Sequence, residues 1–129
     1  MPEIITRVPL AQKEGEAIMW CLGQIANYPD REVYSETDPL GVLLNEGFAR
    51  DEIINTANAM FDIAYGDWIS DPMTALQKTI LRVSVENTTW IGEYLITLPH
   101  MIGEAKAALR SLATKLDAFD IHVNHIPAD

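Results

Sequence analysis

Four polar residues at helical spacing are the first candidates for chemistry in this chain of 129 residues. Asp51, Asn55, Asn58 and Asp62 lie at positions i, i+4, i+7 and i+11, which places them on one face of a helix. Carboxylate and amide oxygens of this kind bind divalent cations or serve in acid–base sites. The same spacing is typical of a helix face that contacts only water, and we favour that interpretation.

The histidines near the C-terminus are the second candidates. Asp120 and His122 would share one face of an extended segment, as paired metal ligands do, whereas His125 would lie on the other face. The sequence identifies no third or fourth ligand, so we predict neither a metal nor a cofactor. Motifs for nucleotide, zinc, calcium or serine-hydrolase chemistry are absent from the sequence. A small metal-dependent enzyme that uses the Asp51, Asn55, Asn58 and Asp62 stripe is therefore an alternative rather than the favoured function.

Acidic residues are concentrated in one part of the chain. The net charge is −10, from 19 Asp and Glu against 9 Lys and Arg. Residues 30–71 contain ten of these carboxylates and only two arginines, which is eight of the ten net negative charges. A regional field of this kind attracts a cationic partner. It argues against direct binding to nucleic acid or to anionic lipid, because lysine and arginine mediate both.

We therefore expect a small, acidic, non-enzymatic interaction module that docks on a basic protein surface. In size and charge it resembles small acidic helical proteins of phages and mobile elements, including some anti-CRISPR and anti-restriction inhibitors. Several of those occupy the site where DNA phosphates would bind. Trp68 is the candidate aromatic anchor, since carboxylates surround it in sequence. The predicted partner-binding residues are Glu32, Glu36, Asp38, Asp51, Asp62, Asp67 and Trp68.

Hydrophobic periodicity predicts a mainly α fold, a compact single-domain bundle of about five helices over residues 1–129 with a short extended C-terminal segment. Pro residues or Asp-Pro pairs mark several helix starts. The predicted helices begin at Pro9, at Asp38-Pro39, at Arg50 (to residue 65), at Ser70-Asp71-Pro72, at Trp90 (to residue 97) and at Pro99.

The junction after the second predicted helix has a local signal. Gly47 is predicted to end that helix in a left-handed conformation, and Phe48 to pack into the angle between it and the next helix. Residues 43–53 resemble the helix, Gly-Phe loop, helix junction of ubiquitin-associated and similar small helical domains. The resemblance implies a packing arrangement, and we carry over no function from it.

After Phe119 the apolar period changes from 3.6 to 2, which predicts the extended segment over residues 120–127. It would pair either with residues 4–8 or with another chain. In the second case the protein would be a structural subunit of a larger assembly, with residues 121–126 as its adhesive strand.

Signals for export, membrane insertion and disulfide formation are missing. The first residues lack a basic region followed by an apolar stretch, and no apolar run reaches the ~18 residues of a membrane span. Cys21 is the only cysteine and lies in an apolar helix pattern, so we expect it to be buried. We predict a cytoplasmic protein without membrane contact.

Overall fold

The computed structural model describes residues 7–26, 39–66, 68–70, 73–86 and 99–124. In these ranges the chain forms five α-helices, two short strands and a 3₁₀ turn, so the predicted mainly α fold is confirmed. In order, the elements are β1 (Arg7–Pro9), α1 (Gln12–Ala26), α2 (Pro39–Asn45), α3 (Arg50–Gly66), β2 (Trp68–Ser70), α4 (Ala75–Glu86), α5 (Pro99–Leu116) and the 3₁₀ turn (Asp117–Phe119). The predicted helix over residues 90–97 lies outside the described residues.

Helix α1 is at the centre of the hydrophobic core and packs against α2, α3, α4 and α5. Its predicted stripe of Ile18, Cys21, Leu22 and Ile25 is buried. Each aliphatic side chain of this kind contributes about 1.5–3 kcal/mol when it is removed from water. The largest fully buried side chains that join this stripe from the other helices are those of Leu40, Leu43, Ile53, Met60, Ile80, Leu81, Leu109 and Leu112.

Helix α2 begins at Pro39 and ends in the predicted left-handed glycine. Gly47 has a φ of 97°. Its N–H donates to the Leu44 carbonyl (3.1 Å), and the Phe48 N–H donates to the Leu43 carbonyl (3.3 Å). These two bonds form a Schellman cap, and Phe48 packs against the core as expected. A Cβ at Gly47 would meet no atom within 4 Å, so it is the backbone conformation that favours glycine here.

The buried face of α3 is broader than predicted and has a different centre. The sequence pattern placed Ile54, Ala57 and Phe61 on the inner stripe. Ala57 is fully buried, but the residues fully buried with it are Ile53 and Met60, whereas Ile54 and Phe61 are only partly buried. The reason is that α3 packs against α1, α2 and α4, and one narrow stripe cannot satisfy three neighbours.

The two strands pair antiparallel, with Val8 opposite Ile69 and Pro9 opposite Trp68. Two predictions are wrong at this point. Helix α1 begins at Gln12 because Pro9 belongs to β1. The spacing of Trp68 from Ile54 and Phe61 predicts that it continues the apolar stripe of α3, but it lies in β2. Of the two pairings left open for the C-terminal segment, the one with residues 4–8 is not seen in the described part of the chain, since Arg7 and Val8 pair with β2 and residues 121–124 form no strand. Residues 4–6 and 125–127 lie outside the described residues. Ile69 is fully buried, so the strand pair covers one edge of the core.

Helix α4 begins later than predicted, at Ala75 rather than near residues 70–72. Thr74 and Gln77 form a reciprocal capping box before it. The Gln77 N–H donates to Thr74 Oγ1 (3.1 Å), and the Thr74 N–H donates to Gln77 Oε1 (2.8 Å). Two backbone donors that the helix leaves unpaired are satisfied in this way. Leu76, Ile80 and Val83 are buried, as their spacing predicts.

Helix α5 begins at the predicted Pro99 and extends for 18 residues. Leu109, Leu112 and Leu116 are buried, as the stripe predicts. A second Schellman cap follows the 3₁₀ turn. The Asp120 N–H donates to the Asp117 carbonyl (3.1 Å), and the Ile121 N–H donates to the Leu116 carbonyl (3.2 Å). Asp120 has a φ of 60°, so an aspartate takes the left-handed position that glycine takes after α2.

Candidate functional site

The outward side of α3 forms an exposed polar surface, which we call the α3 outer face. It consists of Asp51, Glu52, Asn55, Asn58 and Asp62, all of which are exposed. The opposite side of the helix, with Ile53, Ala57 and Met60, is buried in the core. Amphipathic periodicity therefore determines which side of α3 faces solvent.

Two residues of the α3 outer face also stabilise the N-terminus of the helix. Asp51 and Glu52 lie in the first turn of the helix. Negative charge is favourable there because the first backbone N–H groups are unpaired and the helix dipole is positive at that end. These two carboxylates stay exposed while they complement the helix, so they remain accessible to a partner.

The carboxylates of the α3 outer face have no counter-ion within the described part of the chain. The side chains of Asp51, Glu52 and Asp62 form neither a hydrogen bond nor an ion pair with the described residues. The amide side chains of Asn55 and Asn58, which lie between them, form none either. Among the described residues, the face therefore presents three negative charges that no protein group pairs.

The geometry of the face does not suit a single bound cation. Asp51 and Asp62 are eleven positions apart on one helix, a rise of roughly 16 Å. Ligands of one Mg²⁺ or Ca²⁺ ion must all lie within about 2.6 Å of it. In the described part of the chain, no group of three or more His, Cys, Asp or Glu side chains is arranged to hold a metal ion.

The structure places three of the seven predicted partner-binding residues. Asp51 and Asp62 lie on the α3 outer face about three turns apart, and Glu52, which the prediction omitted, lies next to Asp51. Trp68 is in β2, opposite Pro9 of β1. The other four predicted residues, Glu32, Glu36, Asp38 and Asp67, lie outside the described residues.

Arg82 of α4 forms ion pairs with two other carboxylates. Its Nη2 donates to Glu46 Oε1, at the junction between α2 and α3. Its Nε lies 3.2 Å from Glu86 Oε1, an ion-pair distance without hydrogen-bonding geometry. Glu86 also accepts hydrogen bonds from Asn124 Nδ2, at 3.2 and 3.4 Å. Glu46 belongs to the acidic region of the sequence, but its charge is already paired with a cation of the same chain.

Glu14 of α1 is a buried carboxylate with only 1% of its side chain exposed. Its Oε1 accepts hydrogen bonds from the Ala11 N–H and from Lys115 Nζ, both at 2.6 Å. Its Oε2 is buried and accepts no hydrogen bond from a described residue. The spacing of Lys115 relative to the apolar stripe of Leu109, Leu112 and Leu116 predicts that it lies on the outside of α5. This prediction is wrong, because its ammonium group reaches inward to Glu14. The pair joins the first turn of α1 to the last turn of α5.

His122 is exposed and lies between two carboxylates. Its Nδ1 is 3.6 Å from Asp117 Oδ1, and its Nε2 is 3.9 Å from Asp120 Oδ1. The side chain is 76% exposed, so solvent screens both contacts. Asp120 lies in the left-handed turn rather than in a strand, which removes the basis for a shared strand face. His125 lies outside the described residues.

Sequence reasoning missed the Glu14–Lys115 and Glu46–Arg82 pairs. Their members are 101 and 36 positions apart in the chain. Ion pairs within one helix have a spacing signal of three or four residues, but pairs between helices have none. The only available signal was a glutamate, Glu14, among otherwise buried positions of α1.

In comparisons with known proteins, the chain matches no family model, no curated protein and no solved structure. A proposal for its function therefore rests on the geometry described above. Among the described helices, none combines the length and the apolar character that crossing a bilayer requires.

Proposed function

We propose that this protein is a non-enzymatic interaction module whose α3 outer face docks on a basic surface of another protein. One observation carries the proposal. Asp51, Glu52 and Asp62 are exposed on one side of one helix and have no cation of their own among the described residues.

Carboxylates in this state favour a cationic partner for two reasons. In the free protein these exposed charges lower the stability of the fold little, because water solvates them. In a complex each can accept charge-assisted hydrogen bonds from arginine or lysine, which are roughly twice as strong as neutral ones. Asn55 and Asn58, between the carboxylates, can both donate and accept hydrogen bonds, which suits guanidinium groups and backbone amides alike.

The overall charge supports the same kind of partner. A net charge of −10 produces a field that accelerates association with a basic protein and that falls off over about 10 Å at moderate ionic strength. The association rate should therefore decrease steeply as salt is added. A partner that recognises only shape or apolar surface would show little salt dependence.

In its narrower form, the proposal is that the partner is a nucleic-acid-binding protein and that this chain inhibits it by occupying its phosphate-binding surface. The support is the acidic composition of the chain together with the exposed carboxylates of α3. This form makes a separate prediction, since bound DNA and this protein would then exclude each other. Competition between the two for a captured partner, measured by gel shift, tests it.

The experiment for the broader form is an affinity pull-down at low and at high salt, followed by mass spectrometry and kinetics with the captured partner. The test variant combines Asp51→Asn, Glu52→Gln and Asp62→Asn. The matched control combines Glu16→Gln, Glu104→Gln and Asp117→Asn, which removes the same charge from exposed positions on other elements.

At low salt we expect the test variant to lose about tenfold or more in affinity, the equivalent of ~1.4 kcal/mol, and the control to lose much less. At high salt the difference between the two should shrink. Equal losses in both variants would mean that net charge alone matters and would overturn the assignment to α3. Unchanged affinity of the test variant would overturn it as well.

A further inference from the structure

We draw no further inference here: the strongest candidate, the groove of about 280 Å³ that Lys78, Thr79, Arg82, Asp120, Ile121 and His122 line between α4 and the turn after α5, combines one carboxylate with Lys78, His122 and an arginine that Glu46 and Glu86 already pair, and so specifies no class of ligand.

Discussion

Glu14 and the α3 outer face use the same chemical group in opposite ways. Glu14 is 1% exposed and is held by a backbone N–H and by Lys115. Asp51, Glu52 and Asp62 are exposed and have no partner among the described residues. The first carboxylate is part of the packing of α1 against α5. The other three form no contact that joins the described helices, and within the fold Asp51 and Glu52 only complement the positive end of their own helix.

The position of each group explains the difference. Glu14 lies in the first turn of α1 and Lys115 in the last turn of α5, where each charge also complements the dipole of its own helix. A charge that leaves water loses its solvation and must recover that energy from such contacts. The carboxylates of α3 never leave water, so they need no compensation from the protein.

The largest effect is expected from removing the cation that faces Glu14. Lys115→Ala leaves Glu14 buried without a counter-ion, and we expect a loss of about 3 kcal/mol in the free energy of unfolding. Urea denaturation monitored by circular dichroism measures it. The double variant Glu14→Gln with Lys115→Gln should recover most of the loss, because both charges are then absent. A loss below about 1 kcal/mol for Lys115→Ala would mean that this pair contributes no more than a surface ion pair. The distinction between the buried Glu14 and the exposed carboxylates of α3 would then be wrong.

An intermediate effect is expected at Arg82, whose side chain is 24% exposed against 35% for Glu46. Arg82→Ala should lower the free energy of unfolding by about 1 kcal/mol, because Glu46 stays within reach of water and Glu86, which is 11% exposed, keeps its hydrogen bonds from Asn124. Unfolding at low and high salt measures both the size and the screening of this contribution.

The control for Arg82 is the pair of Lys13 and Glu16 within α1. Its side chains are 42% and 50% exposed, with 3.4 Å between Nζ and Oε2. Lys13→Ala should change the free energy of unfolding by less than about 0.5 kcal/mol, since exposed pairs contribute little. If Lys13→Ala costs as much as Arg82→Ala, burial does not determine the ranking of these carboxylate pairs.

The smallest effect on stability is expected at the α3 outer face. The triple variant Asp51→Asn, Glu52→Gln and Asp62→Asn should keep its free energy of unfolding within about 0.5 kcal/mol of the natural protein, as surface substitutions usually do. Reduced repulsion among negative charges offsets the weaker interaction of Asp51 and Glu52 with the helix dipole. A loss above about 1 kcal/mol would show that these carboxylates have a structural role, and a drop in partner affinity would then not identify a binding face.

The parts of the fold that the sequence predicts correctly depend on local chemistry. Pro99 starts α5 and Gly47 ends α2. Proline fixes its φ at a value that suits the first turn of a helix, and glycine adopts a positive φ at little cost, whatever their surroundings. The polar stripe of α3 follows from periodicity in the same way. At Thr74 two local signals competed, and the reciprocal bonds with Gln77 determine where α4 begins rather than the earlier Asp71-Pro72 pair.

The parts that it does not predict depend on residues far apart in the chain. The pairing of β1 with β2 joins positions about sixty residues apart, and strands of three residues are too short for a periodic pattern. Lys115 has the spacing of an outward residue on α5, and only the position of α1 turns it toward Glu14. For the candidate site, the sequence predicts the face of α3 but carries no information about the surface that would bind it.

Asp120 is a position where a substitution should raise the thermal stability of the protein. Its backbone has a φ of 60°, which side chains with a Cβ adopt at a cost, and its negative charge lies just beyond the negative end of α5. Glycine at this position would remove both penalties and leave Ile121 in place beneath the turn. An engineer who needed a longer-lived sample would start with Asp120→Gly.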